Sequence, residues 1–179
     1  MNYFFTADEH YGHTNIIKYC DRPFKNTDEM DSTIIIKHNE LVNDGDTVIH
    51  VGDFTMKKYE SFIKYLCRLN GNHIFLRGSH DKWMDEQVFL NDKQTNNFYH
   101  EIWEQKIKGK LVVACHYAMK TWPASHYNSW QLFGHSHGLL KTVGKQLDVG
   151  VDTNNFYPYS FEDIKKIMDK KEDNFNYFK

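Results

Sequence analysis

The stretch "HIFLRGSHD", residues 73–81, decides the reading of the fold. A short run of β-branched, aromatic and aliphatic residues stops at arginine and glycine, then delivers serine, histidine and aspartate. A run of this length closed by glycine reads as a buried strand, "HIFLRG". Two more such runs lie upstream, "NYFFTAD" (2–8) and "TVIHVGD" (47–53). Two helical segments separate the three. Residues 27–43 offer Thr27 as an N-cap, acids in the first turn, and Met30, Ile34 and Leu41 near helical spacing. "KKYESFIKYLCRL" (57–69) puts Tyr59, Phe62, Ile63 and Leu66 on one stripe, and "DGD" (44–46) is a turn. The order strand, helix, strand, helix, strand predicts parallel pairing with helical crossovers.

Downstream the pattern changes. "EIWEQKIKGKLVVACH" (101–116) reads as a β-hairpin turning at Lys108-Gly109-Lys110. "WQLFGHSH" (130–137) and "KQLDVGVD" (145–152) are further strands. Ser160 and Asp163 open a final helix in capping-box fashion. The tail "DKKEDNFNYFK" reads as a frayed, solvated end. There is no internal repeat, low-complexity tract or linker, so residues 1–179 read as a single domain.

With 40% apolar residues, 16% aromatic, the chain is globular rather than disordered. A net charge of -2 gives no basic field for long duplex nucleic acid. Cys20, Cys67 and Cys115 are odd in number and far apart, matching neither a disulfide framework nor a zinc ribbon. No run approaches the ~20 apolar residues that span a bilayer, and the N-terminus lacks the pattern of a signal peptide. These features predict a cytoplasmic chain with no membrane partner. They leave the oligomeric state open.

The 11 histidines are the unusual count. Each predicted strand in turn ends in metal-competent side chains: Asp8 and His10, Gly52-Asp53, His80 and Asp81, Cys115-His116, and His135 with His137. In α/β sheets functional groups gather at carboxyl strand ends. Asp8 and His10 are two apart, as are His135 and His137. In extended backbone such residues point to one side, so each pair can close on one ion or on two adjacent ions. Mixed carboxylate and imidazole donors suit Mn, Fe, Ni, Zn or Co better than Ca or Mg. One such Asp or His alone is more often a cap, a turn former or a core residue; five strand ends together are not explained that way. His38, His73, His100 and His126 carry no partner signal and read as surface or structural, and His50 as packed. His13, in "HYGH", could face a bound substrate.

In order and spacing these residues resemble the calcineurin-like metallophosphoesterases, whose signature runs D-x-H, G-D, G-N-H-D, H, G-H-x-H. Here it reads Asp8-Glu9-His10, Gly52-Asp53, Gly78-Ser79-His80-Asp81, His116 and Gly134-His135-Ser136-His137. "TADEHYGHTNII", "RPF", "DTVIHVGDF" and "LDVGVD" look like the small single-domain bacterial and phage branch. The resemblance implies a β-sandwich flanked by helices, in four layers αββα. It implies two divalent transition metal ions. Asp8, His10 and His137 would hold the first, Asp53 would bridge, and His116 and His135 would hold the second. His80 would act as the catalytic group beside the scissile phosphate, and a bridging hydroxide would attack phosphorus. Ser79 departs from the pattern: the family's asparagine is a ligand of the second ion, so that site should be weakened.

The implied substrate is a small phosphoester, a nucleotide among the candidates. Arg22, Arg68 and Arg77 are the only arginines, and none stands in the G-D-x-x-D-R pattern of protein phosphatases. Tyr11, Phe54, Trp83, Tyr117 and Trp122 lie beside the motifs, either packing the loops or offering a face for a nucleobase. Tyr117 and His13 are the substrate-contact candidates. Two other classes remain at this stage: a metallophosphoesterase-like binding module with little catalysis, and simple metal storage.

Overall fold

A computed structural model of the chain describes residues 1–86, 89 and 99–178. The fold is mixed α/β with two sheets. Strand β1 (Tyr3–Thr6) leads through α1 (Thr14–Tyr19) and α2 (Thr27–Leu41) to β2 (Thr47–His50). Helix α3 (Tyr59–Leu66) then leads to β3 (Asn72–Leu76). These three strands are parallel, as the alternation of periods predicts. β4 (Tyr99–His100) pairs parallel to β3.

The second sheet begins with the hairpin of β5 (Ile102–Ile107) and β6 (Lys110–Cys115). Ile107 pairs with Lys110, so Lys108 and Gly109 form a two-residue turn. Their φ values are 45° and 85°, the left-handed pair that matches strand twist at a hairpin. β7 (Trp130–Phe133) and β8 (Gln146–Asp148) extend this sheet in parallel. β9 (Tyr159–Ser160) returns to the first sheet, antiparallel to β1, and α4 (Phe161–Lys170) follows. The sheet orders are β4-β3-β2-β1-β9 and β5-β6-β7-β8.

The sheets share one buried cluster. Phe5 and Ile49 of the first meet Val112 and Leu132 of the second, together with Ile164 and Met168 of α4. A second cluster joins Met30 and Ile34 of α2, Phe62 of α3, and Phe54, Phe75 and Trp83. Phe75 and Leu76 are neighbours on β3 and serve different clusters, because successive strand side chains point to opposite faces. That double burial explains why the first three strands read as continuous apolar runs.

Several local expectations are corrected. The N-cap of α2 is Asn26, not Thr27: the Asn26 side chain accepts from the amide of Glu29 at 2.9 Å. α1, β4 and β9 are too short to carry a periodic signal. The segment 149–152 is not strand: β8 ends at Asp148 and a 3-10 turn runs from Val151 to Thr153. The tail is anchored rather than frayed. Asn174 is buried and its amide donates to the carbonyls of Ser125 and Ser129 at 2.9 and 3.0 Å. Among the described residues, no helix is long and apolar enough to cross a membrane.

Candidate metal centre

The strands stop short of the ligand-type residues. β1 ends at Thr6 and β7 at Phe133, so Asp8, His10, His135 and His137 all lie in the loops beyond. The expected extended pairs are therefore not extended. Asp8, His10, Asp53, His135 and His137 have φ of 58°, 53°, 59°, 67° and 47°. Left-handed backbone is uncommon for non-glycine residues and costs energy at each position. Five of the six expected ligands adopt it, which aims their side chains inward from tight turns.

Close backbone approach makes room for this. A Cβ on Gly78 would lie 2.2 Å from the amide nitrogen of Asp53, and one on Gly134 would lie 2.7 Å from Oδ2 of Asp8. No other residue fits at either position without moving a loop.

Two donor groups result. Asp8, His10 and His137 bring one ligand atom each within 4.8 Å of one another, and so do Asp53, His116 and His135. Asp53 lies between them. Its Oδ2 is 3.6 Å from Nε2 of His10, 3.4 Å from Nε2 of His116 and 4.0 Å from Nε2 of His80. Both ring nitrogens of His10 and Nε2 of His116 are buried without a hydrogen-bond partner. Buried polar atoms are normally paired, so these unpartnered nitrogens beside carboxylates fit positions that an ion would fill. The other nitrogen of His116, Nδ1, donates to the carbonyl of Val51 at 2.9 Å, which leaves Nε2 as the free donor. The donor set present thus fits two divalent ions.

Burial pushes Asp8 up to about 8, opposed by His137 and His116. Burial pushes His10 down to about 3 against the pull of Asp53. Burial also pulls His116 down, but the adjacent Asp53 carboxylate outweighs it and holds the ring at about 9. For Asp53 the burial penalty is overcome by His116, the His80 amide and His10, so its carboxyl sits below the ordinary range.

His80 stands at the rim, its side chain 42% exposed, while its amide donates to Oδ1 of Asp53 at 2.8 Å. Its ring lies 5.3 Å from that of His10 and 5.9 Å from that of His13. The hydroxyl of Ser79 donates to Oδ2 of Asp53 at 3.1 Å. His13 and His80 line a cleft of about 540 Å³ together with His10, His135 and His137. Tyr117 is exposed beside the second group, its ring 4.9 Å from His116 and 4.8 Å from His135. Of the other aromatics beside the motifs, Tyr11, Phe54, Trp83 and Trp122 are buried and pack the loops.

Three residues act here that carried no assigned role in the sequence. Asp81 accepts from the amides of Asp53, Phe54, Thr55 and Gly78 and from the Trp83 indole, at 2.7 to 3.2 Å. It clamps the Asp53 loop to the Gly78 loop. Asp152 sits 2.7 Å from Nδ1 of His137. Arg22 grips Asp152 with Nε and one terminal nitrogen, both at 2.8 Å, and donates to the carbonyls of Asp8 and Glu9 at 2.7 and 3.0 Å. Cys20 also approaches His137 and Asp152, but the Asp152 carboxylate is already engaged by Arg22. The scarcity of arginine and the "RPF" stretch were the signals that singled out Arg22.

His38, His50 and His73 are buried, as packed residues rather than surface ones. His50 links Glu9, at 2.6 Å, to His73, at 3.0 Å. The side chain of His100 lies outside the described residues.

No family model matches the chain. It is 29% identical over 173 residues to the uncharacterized protein MJ1445 of Methanocaldococcus jannaschii, covering 92% of this chain and 89% of that one. Its fold is similar to the crystal structure of AQ665, a protein of unknown function from Aquifex aeolicus. The TM-score is 0.68 at 23% identity, over 93% of this chain and 98% of the other. At that identity the structural likeness speaks for the fold alone.

Proposed function

We propose that this protein is a metal-dependent phosphodiesterase of the calcineurin-like metallophosphoesterase type, acting on small phosphodiesters. The observation that carries the reading is the meeting of two donor triads around Asp53, with unpartnered buried nitrogens on His10 and His116. Two packed sheets with α2, α3 and α4 against them support the four-layer αββα arrangement. Asp8, His10 and His137 would hold one divalent transition metal, His116 and His135 the other, and Asp53 both. Mn, Fe, Ni, Zn or Co suits these donors. When bound, such ions lower the pKa of water and neutralise phosphoryl charge.

The chain's own residues supply position and protons. His80 is exposed to the cleft and held by its amide to Asp53, so its ring can reach a phosphoryl or leaving oxygen. His13 lines the same wall. Among the described residues lining the cleft there is no arginine or lysine. That favours the single negative charge of a diester over the dianion of a monoester.

The test is hydrolysis of bis-4-nitrophenyl phosphate against 4-nitrophenyl phosphate with added Mn, Ni or Zn. The diester should be cleaved faster. A monoester preference with every metal overturns the diester assignment, and no hydrolysis of either overturns the enzyme.

A further inference from the structure

Two side chains at the mouth of the cleft are out of place in a polar site. Tyr19, the last residue of α1, is 71% exposed, and Leu139 is 91% exposed. Both line the cleft with the histidines. A single exposed apolar residue needs no explanation. Here two of them, one from the end of α1 and one from the loop after β7, meet one cavity, each tied to a residue of the site. The ring of Tyr19 stands edge-on to His13, 6.4 Å away at 78°. Leu139 follows His137 and Gly138. Its amide closes a turn onto the carbonyl of Ser136 at 2.8 Å, and Gly138 has φ of 80°. That turn holds the leucine away from the core and at the cleft. Ile16, buried on α1, adds apolar surface to the lining.

Resting on the phosphodiesterase reading, we propose that Tyr19 and Leu139 form a specificity rim that receives an uncharged planar substituent of the diester, so that the preferred substrates are aryl or nucleoside phosphodiesters rather than alkyl ones. The phosphate is handled by the histidine and aspartate cluster, and His13 lies between that cluster and Tyr19. A ring placed beside Tyr19 stacks on its face, and Leu139 loses its exposed surface to the ring. Beside that rim the cleft lining carries Asp21 and, among the described residues, no lysine or arginine. A second phosphate or carboxylate on the substituent is therefore disfavoured there.

The experiment compares thymidine 5′-(4-nitrophenyl phosphate) with methyl 4-nitrophenyl phosphate. In both, water supplies the oxygen that bonds to phosphorus, the same P–O bond to 4-nitrophenolate breaks, and a proton is released. Only the retained substituent differs. The wild-type protein should favour the thymidine ester by about 10-fold in kcat/KM, the size of one stacked base, with the difference in KM. In the double variant Tyr19→Ala, Leu139→Ser that ratio should fall to near one. Calorimetric binding of thymidine 5′-monophosphate against methyl phosphate should follow the same pattern without any turnover. A wild-type ratio near one, or a ratio unchanged in the variant, overturns the rim while diester hydrolysis stands. Hydrolysis of neither ester overturns the phosphodiesterase reading, and the binding ratio then decides the rim alone.

Discussion

Nδ1 of His137 donates to Oδ2 of Asp152 across 2.7 Å, and that bond decides which ring nitrogen is left for an ion. Both oxygens of Asp152 are held by Arg22, which also grips the carbonyls of Asp8 and Glu9. One arginine thus supports two of the three residues in the first donor group. Such outer partners fix tautomer and ring orientation, and their loss costs about 10–100-fold in affinity or activity.

Asp152→Asn should therefore weaken the first ion by about 10–100-fold while the second keeps its affinity. Calorimetric titration with Mn or Zn reads both sites. Unfolding of the metal-free variant serves as the control for fold. Unchanged first-site affinity would remove Asp152 from the orienting role.

Ser79 donates to the Asp53 carboxylate, the proposed bridge, instead of reaching past it. An asparagine amide oxygen extends further and is a better neutral donor to a divalent ion. Ser79→Asn should raise second-site affinity by roughly 10-fold or more, on the scale that ligand changes produce, and raise turnover when metal is limiting. Equal titration curves and equal rates for the two proteins at low metal would show that Ser79 weakens nothing.

His80 meets the cleft but belongs to neither donor triad. His80→Gln should lower kcat by roughly 10²–10⁴-fold, as for a lost acid catalyst, with metal content near normal. Steady-state kinetics and metal analysis on the same preparation check it. Loss of metal from a folded variant would place His80 among the ligands.

Protons would compete with a metal ion for the proposed site. Asp8, pushed up to about 8 by burial, and His116, held at about 9 by Asp53 against the opposing effect of burial, both carry protons near pH 7. An ion must displace them, so binding releases protons and affinity rises with pH. Metal titrations at pH 6.5, 7.5 and 8.5 should show steadily tighter binding with proton release into the buffer. A flat profile would mean that neither group is protonated in the metal-free protein.

The order of elements was legible in the sequence because the period of apolar residues is a local property. Three apolar runs separated by helical stripes could be built only as strands with crossovers, and Lys108-Gly109 marked the hairpin. The ligand-type residues were legible for the same reason, since Asp8, His10, Asp53, His116, His135 and His137 each follow a strand signal. Tertiary structure alone decided how they converge. Five of these six candidates leave the strands and turn through left-handed backbone, which no alternation pattern encodes. Asp152 reaches Arg22 across 130 positions, and Asp81 reaches Asp53 across 28. His50, packed in a strand, joins Glu9 to His73 through the core. Hydrogen bonds at such separations leave no local mark, because their geometry exists only once the sheets have packed and brought the loops to one edge.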